Sequence, residues 1–206
     1  MPGSSSLWLL PDPLVLASQS ASRAGLLASA GIPFEAAPAD IDERAVEMAA
    51  APDGPERAAI LLAETKALDR SRALPGRLVL GADQTLDLDG RRFSKPADRA
   101  AAREQLLALR ARTHRLHSGL ALARDGALLW SGADTAEMAM RDFSEGFLDR
   151  YLDAAGDDVT RSVGAYKLEG PGIHLFERVR GEHSTVLGLP LLPLLARLRA
   201  IGALAA

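Results

Sequence analysis

The sequence predicts an α/β fold, a mixed sheet with flanking helices. Short apolar runs alternate with Ala- and Leu-rich stretches of helical spacing, and two Asp-Gly pairs sit between alternating segments, as in antiparallel hairpins. Leu14 to Ala17 reads as a first strand running into a polar turn. Ser20 or Ser22 then caps a helix carrying Leu26 and Leu27, and Gly31 stops it. Ile32 to Ala51 is polar, acidic and interrupted by proline, so a loop or extended excursion is expected there. Pro55 is a good first-turn residue for a helix reaching about Ser71.

Leu78 to Ala82 is a buried strand in this reading, delivering Asp83 to its C-terminal end. Thr85 to Phe93 forms a hairpin about Asp89-Gly90, and Arg99 to Leu109 a helix. Thr113 to Arg124 and Ala127 to Met140 pair about Asp125-Gly126. Ser144 caps a helix to Ala155, closed by Gly156. Gly164 to Gly172 is a glycine-punctuated loop, Ile173 to Val179 a strand, and Leu189 to Ile201 the last helix.

The chain has 206 residues and no internal repeat, so a single domain over residues 1–206 is expected. Its net charge of −3 and 4% aromatic content argue against nucleic-acid binding. It has no cysteine, which excludes disulfides and thiolate chemistry and suits a cytoplasmic location. The patch Leu7 to Leu10 lacks a basic leader and meets Pro11 and Pro13, so it is not read as a signal peptide. Val186 to Ala196 is too short to span a bilayer, and no membrane association is expected.

Only three of the 24 basic residues are lysines: Lys66, Lys95 and Lys167. Compositional drift explains the excess of arginine, but it leaves three compact ammonium groups to place. Ligands of open α/β sheets gather at strand ends, which makes 17–23 and 81–95 the rims of a cleft. In the first rim Ser18, Ser20, Ser22 and Arg23 offer hydroxyls and a guanidinium at a helix start, either as an anion site or as an ordinary cap. Asp40, Asp42 and Glu43 are either metal ligands or a solvated turn. Asp83 is a candidate metal ligand or general base, or a turn cap, and Lys95 is held extended by Pro96. His114 and His117 fall on opposite faces of one strand, which disfavours a shared metal. The 164–172 loop has neither P-loop nor dinucleotide spacing. Taken together, several cations and several acids face one cleft, the combination that a polyphosphate with a divalent metal requires.

The segments Leu16-Ala-Ser-Gln-Ser-Ala-Ser-Arg23, Asp42-Glu43, Lys66-Ala67, Gly81-Ala-Asp-Gln-Thr85, Lys95-Pro96 and Gly188-Leu-Pro-Leu191, in that order and spacing, resemble the Maf family of nucleoside triphosphate pyrophosphatases, once linked to septum formation. The resemblance runs from about Leu14 to Leu204. It implies a fold like that of inosine triphosphate pyrophosphatases, two lobes around a cleft, a divalent cation (Mg²⁺ or Mn²⁺) and a homodimer. It also implies hydrolysis of a nucleoside triphosphate to the monophosphate and diphosphate, removing non-canonical or modified nucleotides. By position, Asp83 matches the general base or metal ligand and Glu43 the acidic metal-site residue. Arg23, Lys66 and Lys95 match the phosphate cations, Ser18 and Ser20 fall in the same substrate loop, and Lys167 falls in the base-side loop.

Ser22, Gln84 and Glu169 fall where the family sets base preference. Ala21-Ser22 departs from the Pro-Arg or Pro-Trp of many members. Asp83-Gln84 and Leu168-Glu169-Gly170 differ from the UTP/dTTP subgroup, and Lys167, Glu169, Gly172 and 175–177 are more similar to the 7-methyl-GTP subgroup. Alternatives are a UTP/dTTP-type enzyme and a nucleotide-binding regulator of cell division in which turnover is secondary. A sugar-nucleotide transferase is disfavoured by the lack of a Gly-rich phosphate loop.

Overall fold

The computed structural model describes residues 7–50 and 53–206. The start of the N-terminal segment and Ala51, the last residue of the expected excursion, lie outside the described residues. The element order is β1 (Leu14–Leu16), α1 (Ala21–Ser29), β2 (Phe34–Ala36), α2 (Glu43–Ala50), α3 (Pro55–Ala73), β3 (Val79–Leu88), β4 (Arg91–Phe93), α4 (Arg99–Leu109), β5 (Thr113–Arg124), β6 (Ala127–Met140), α5 (Glu145–Ala155), β7 (Phe176–Arg180), α6 (His183–Val186) and α7 (Leu191–Ala200). One seven-stranded sheet runs β2-β1-β3-β5-β6-β7, with β4 also paired to β3. β1 is parallel to β2 and β3, and the remaining pairs are antiparallel, so the sheet is mixed as expected. No helix of the described residues is long and apolar enough to cross a membrane.

β3 organises the sheet. Its first residues pair with β1 through Val79 and Leu80, and its last pair with β4 from Leu86 onward. Between them, on that edge, 81–85 face no strand, although β5 pairs with the whole stretch on the other side. The expected break after Ala82 is therefore not a strand end. Asp83, Gln84 and Thr85 stay in the strand because each finds a distant partner: the Lys66 ammonium, the Ser118 hydroxyl and the Pro55 carbonyl. Asp89 (φ 53°) and Gly90 (φ 83°) then make the predicted turn, with the Gly90 N–H donating to Asp87 Oδ1 at 2.6 Å.

Two further expectations change. The excursion after Ile32 contains β2, which exists by pairing with β1, and α2, capped where Asp42 Oδ1 accepts from the Ala45 N–H at 3.0 Å. Their polarity reflects exposure: α2 buries only Ala50. The strand expected from Ile173 starts instead at Phe176, because Pro171–Leu175 winds as a 3₁₀ turn whose Leu175 carbonyl accepts from the Arg141 N–H.

α3 covers one face of the sheet, over Val15, Ala17, Val79, Ala121 and Ala123. On the opposite face Leu14, Leu16, Leu80, Leu120 and Leu122 pack with Leu27 of α1 and with Leu194 and Leu198 of α7. Further along that face Leu86, Leu116 and Met138 pack under α4 and α5. Each fully buried leucine contributes about 2 kcal/mol of transfer free energy before chain entropy. Gln84 and Ser118 separate these two apolar clusters along the strands. Their side chains bond each other and the Thr185 carbonyl of α6, so the boundary is polar.

α3 lies directly on the sheet because β3 and β5 present glycines to it. A Cβ on Gly81 would stand 2.0 Å from the Ala63 carbonyl oxygen, and one on Gly119 would stand 2.3 Å from that of Ala59. Gly119→Ala must therefore push the α3 backbone off the sheet. We expect it to lower the unfolding free energy by about 2 kcal/mol or more in chemical denaturation, whereas Gly25→Ala, with open space around it, leaves stability within about 0.5 kcal/mol or raises it.

Candidate functional site

α3 brings Lys66 to the middle of β3. The Lys66 Nζ lies 2.7 Å from Asp83 Oδ1 and 2.7 Å from Glu43 Oε1, with side-chain exposures of 9% for Lys66, 13% for Asp83 and 56% for Glu43. An ammonium this enclosed is tolerable because two carboxylates replace its water. Asp83 sits in the stretch of β3 that neither β1 nor β4 covers, so the cluster opens at a gap in the sheet edge rather than at a strand terminus.

Arg23 takes the place of the missing strand neighbour. Its Nη1 donates to the Ala82 carbonyl at 2.8 Å and to Ser18 Oγ at 2.9 Å, and its Nε donates to the Gly188 carbonyl at 2.9 Å. Its Nη2 is not engaged within the described protein and remains available as a donor. Burial pushes the Arg23 pKa down, while the charges of Asp83 and Glu43 push it up. Ser20 caps α1, its Oγ accepting from the Arg23 N–H, and its own N–H donates to Ser18 Oγ at 3.3 Å. The 18–23 segment is thus both a helix cap and the frame of a guanidinium.

A cavity of about 280 Å³ lies between Ser22 of α1, the end of α5 and the 164–172 loop. It is lined by Ser22, Tyr151, Asp158, Tyr166, Lys167 and Glu169 among others. Lys167 Nζ lies 2.8 Å from Asp158 Oδ1, and this contact holds the Asp158 carboxyl below its ordinary range. The loop folds tightly on itself: a Cβ on Gly172 would meet the Lys167 carbonyl at 2.3 Å, and Gly164 takes a φ of 80°. Three bonds pin it from beneath. The Tyr151 hydroxyl donates to the Ala165 carbonyl at 2.9 Å, the Gly164 N–H to Gln105 Oε1 at 3.2 Å, and the Tyr166 hydroxyl meets His114 Nε2 at 2.6 Å.

Not every predicted residue joins these two centres. Lys95 stands exposed between β4 and α4, with no hydrogen bond or ion pair to Asp83 among the described residues. Gln84 points to the opposite face from Asp83, and its amide donates to Ser118 Oγ, the Thr185 carbonyl and the Val186 carbonyl, at 2.9 to 3.1 Å. The three lysines therefore occupy three settings: a carboxylate pair, an exposed loop and a cavity rim. Asp42 is the cap of α2, and the Asp40 N–H donates to Asp69. His114 and His117 do face opposite sides, one toward Tyr166 and the other toward Thr135.

Sequence reasoning missed Tyr151, Asp158 and Tyr166, whose spacing carries no motif and which meet only through the fold. The carboxylates Glu43 and Asp83 come from different elements and converge on one point, as a cation site requires. No group of three His, Asp or Glu residues gathers there or elsewhere among the described residues. The set suits a hard cation that takes one or two carboxylates and completes its shell from phosphate and water.

The chain matches the family model described as Maf-like protein over residues 13–201. It is 55% identical over 200 residues to a Rhodopseudomonas palustris protein named nucleoside triphosphate pyrophosphatase, covering 97% of this chain and 99% of that one. It is 53% identical over 188 residues to a Brucella abortus protein named 7-methyl-GTP pyrophosphatase, covering 90% and 94%. Among solved structures, a HAM1 protein from Coxiella burnetii matches with a TM-score of 0.42 and 20% identity over 62% of this chain and 72% of that one.

His114 is fully buried, and burial pushes its pKa down to about 4. Its folded pKa lies below the unfolded one of 6.5, so the neutral ring's contribution is present above pH 6.5 and is lost as pH falls toward 4. The slope of unfolding free energy against pH should be shallower in His114→Phe than in the wild type within that window, by a total on the order of 3 kcal/mol.

Proposed function

The chain belongs to the Maf family, and from that premise we propose that its site hydrolyses a nucleoside triphosphate to the monophosphate and diphosphate, with preference for a modified purine of the 7-methyl-GTP kind. The observation that carries the reaction is the convergence of Lys66, Asp83 and Glu43 at the open edge of β3, beside Arg23.

Asp83 spends Oδ1 on Lys66 and has no hydrogen bond on Oδ2 among the described residues. That oxygen accepts the proton of the attacking water, and the pairing of β3 with β5 keeps the carboxylate in place. Arg23 is fixed by three bonds and presents Nη2 to a phosphate oxygen, so the orientation costs little when substrate arrives. Lys66 and Arg23 offset the charge that develops on the departing diphosphate, and Lys95 reaches the outer phosphates from its exposed loop. Ser18 and Ser20 hold the loop that carries Arg23. Glu43 and Asp83 would hold Mg²⁺ or Mn²⁺, which when bound neutralises phosphate oxygens as a Lewis acid.

The cavity takes the base. Glu169 accepts from a guanine N1–H and amino edge. Two tyrosine rings and the carboxylates of Asp158 and Glu169 favour a purine that carries positive charge, as N7 methylation confers. Ser22 closes the cavity on the α1 side, while Gln84 acts from behind by holding α6. The polar boundary between the two apolar clusters supports a reading of two lobes within one domain.

Purified protein with Mg²⁺ or Mn²⁺ should release diphosphate from a panel of canonical, methylated and deaminated nucleoside triphosphates. Release of orthophosphate alone would sink the assignment. Asp83→Asn should lower kcat/KM by about 10²-fold or more. Lys66→Arg should be nearly as damaging, since a guanidinium does not fit the enclosed point between two carboxylates. Glu169→Gln should lower the ratio of kcat/KM for 7-methyl-GTP over UTP by about tenfold or more, with KM absorbing part of the loss.

A further inference from the structure

We infer that the Lys66 ammonium is the resident cation of the Glu43–Asp83 pair and competes with a divalent cation for the same oxygens, so that cation binding is what frees Lys66 for a phosphate oxygen. The inference rests on the proposed cation and triphosphate site and adds an order of events to it.

The ammonium lies 2.7 Å from an oxygen of each carboxylate. Mg²⁺ needs its oxygens at about 2.0 to 2.1 Å, and any divalent cation repels a positive charge held beside it. Both cannot keep the same place. Lys66 is only 9% exposed, so a displaced ammonium has little water to receive it and needs another anion. The phosphate chain brought in with the cation supplies that anion.

The two carboxylates are unequal in mobility. Asp83 is part of β3, paired along its length with β5. Glu43 is 56% exposed in the first turn of the eight-residue α2, whose next turn is tied by an ion pair between Glu47 and Arg92. Glu43 is therefore the partner able to re-aim from the ammonium to the cation. Arg23, whose guanidinium feels both carboxylates, adds further positive charge against a lone cation. Without phosphate, the cation is opposed by Lys66 and Arg23. Without the cation, Lys66 is already satisfied by its two carboxylates, so neither ligand alone matches the pair.

Titration with Mn²⁺ alone, in the absence of nucleotide, tests this directly. Lys66→Met and Lys66→Gln should each bind Mn²⁺ at least about tenfold more tightly than the wild type in calorimetry, because one opposing charge is gone. Their Tm without metal should fall and should rise further with Mn²⁺ than that of the wild type. Adding Glu43→Gln to either variant should remove the gain. Should neither variant fold, the wild type suffices: with only three lysines in the chain, the side-chain carbon signal of Lys66 is resolvable by ¹³C-lysine NMR. Mg²⁺ alone should shift that signal while leaving Lys95 and Lys167 in place.

Variants that bind Mn²⁺ no more tightly than the wild type, or a Lys66 signal unmoved at saturating Mg²⁺, would overturn the inference. A parallel diphosphate-release assay separates the two levels. Wild-type turnover together with either of those results defeats the competition and leaves the enzymatic reading intact. A wild type that neither binds Mn²⁺ nor releases diphosphate defeats both.

Discussion

The close seating of α3 on the sheet is the constraint from which the site follows. Gly81 and Gly119 remove the side chains that would hold the helix away, and the carbonyls of Ala63 and Ala59 occupy the space. At that separation Lys66, one turn beyond Ala63, is buried and must find anions within reach. Asp83, two residues beyond Gly81 and on the same face of β3, is the anion it finds. A helix standing further off would leave the ammonium in water and the carboxylate without its partner.

A second constraint is the unequal length of neighbouring strands. β3 outruns β1 and meets β4 only at Leu86, so a stretch of its edge has no strand beside it. Unpaired edge groups are costly when buried, and Arg23 answers part of that cost by donating to the Ala82 carbonyl. The same guanidinium is immobilised in doing so. One side chain thus satisfies the strand edge with Nη1 and leaves Nη2 as the donor that the proposed phosphate site uses.

The cavity beside the 164–172 loop is held by different means. The glycine-punctuated loop is anchored by Ala165 and Tyr166, which enter the apolar cluster under α4 and α5, and by bonds to Tyr151, Gln105 and His114. Burial keeps His114 neutral through the physiological range, so the floor of the cavity does not change charge while the rim, Asp158 with Lys167, carries it.

Much of the architecture was legible in the sequence because its signals are local. The Asp-Gly turns, the Ser144 cap and the helical spacing of 99–109 act over a few residues, and the structure places them as expected, with Ser20 rather than Ser22 as the cap of α1. The cluster of cations and acids was legible as a set of residue types and as a resemblance. What only tertiary structure decided is which of them meet. Asp83 read as a strand end because its polar neighbours break the apolar run, yet partners 17, 34 and 30 residues away in sequence keep the strand intact. Lys66, Lys95 and Lys167 looked equivalent as survivors among arginines, and the fold sends them to three different surroundings. Tyr151, Asp158 and Tyr166 carried no signal at all, since their role exists only where the end of α5 and the 164–172 loop face α1. Composition and short-range pattern determine the elements and the chemistry available. Contacts across the sheet determine which groups share one dielectric environment, and that long-range property cannot be encoded in any single segment.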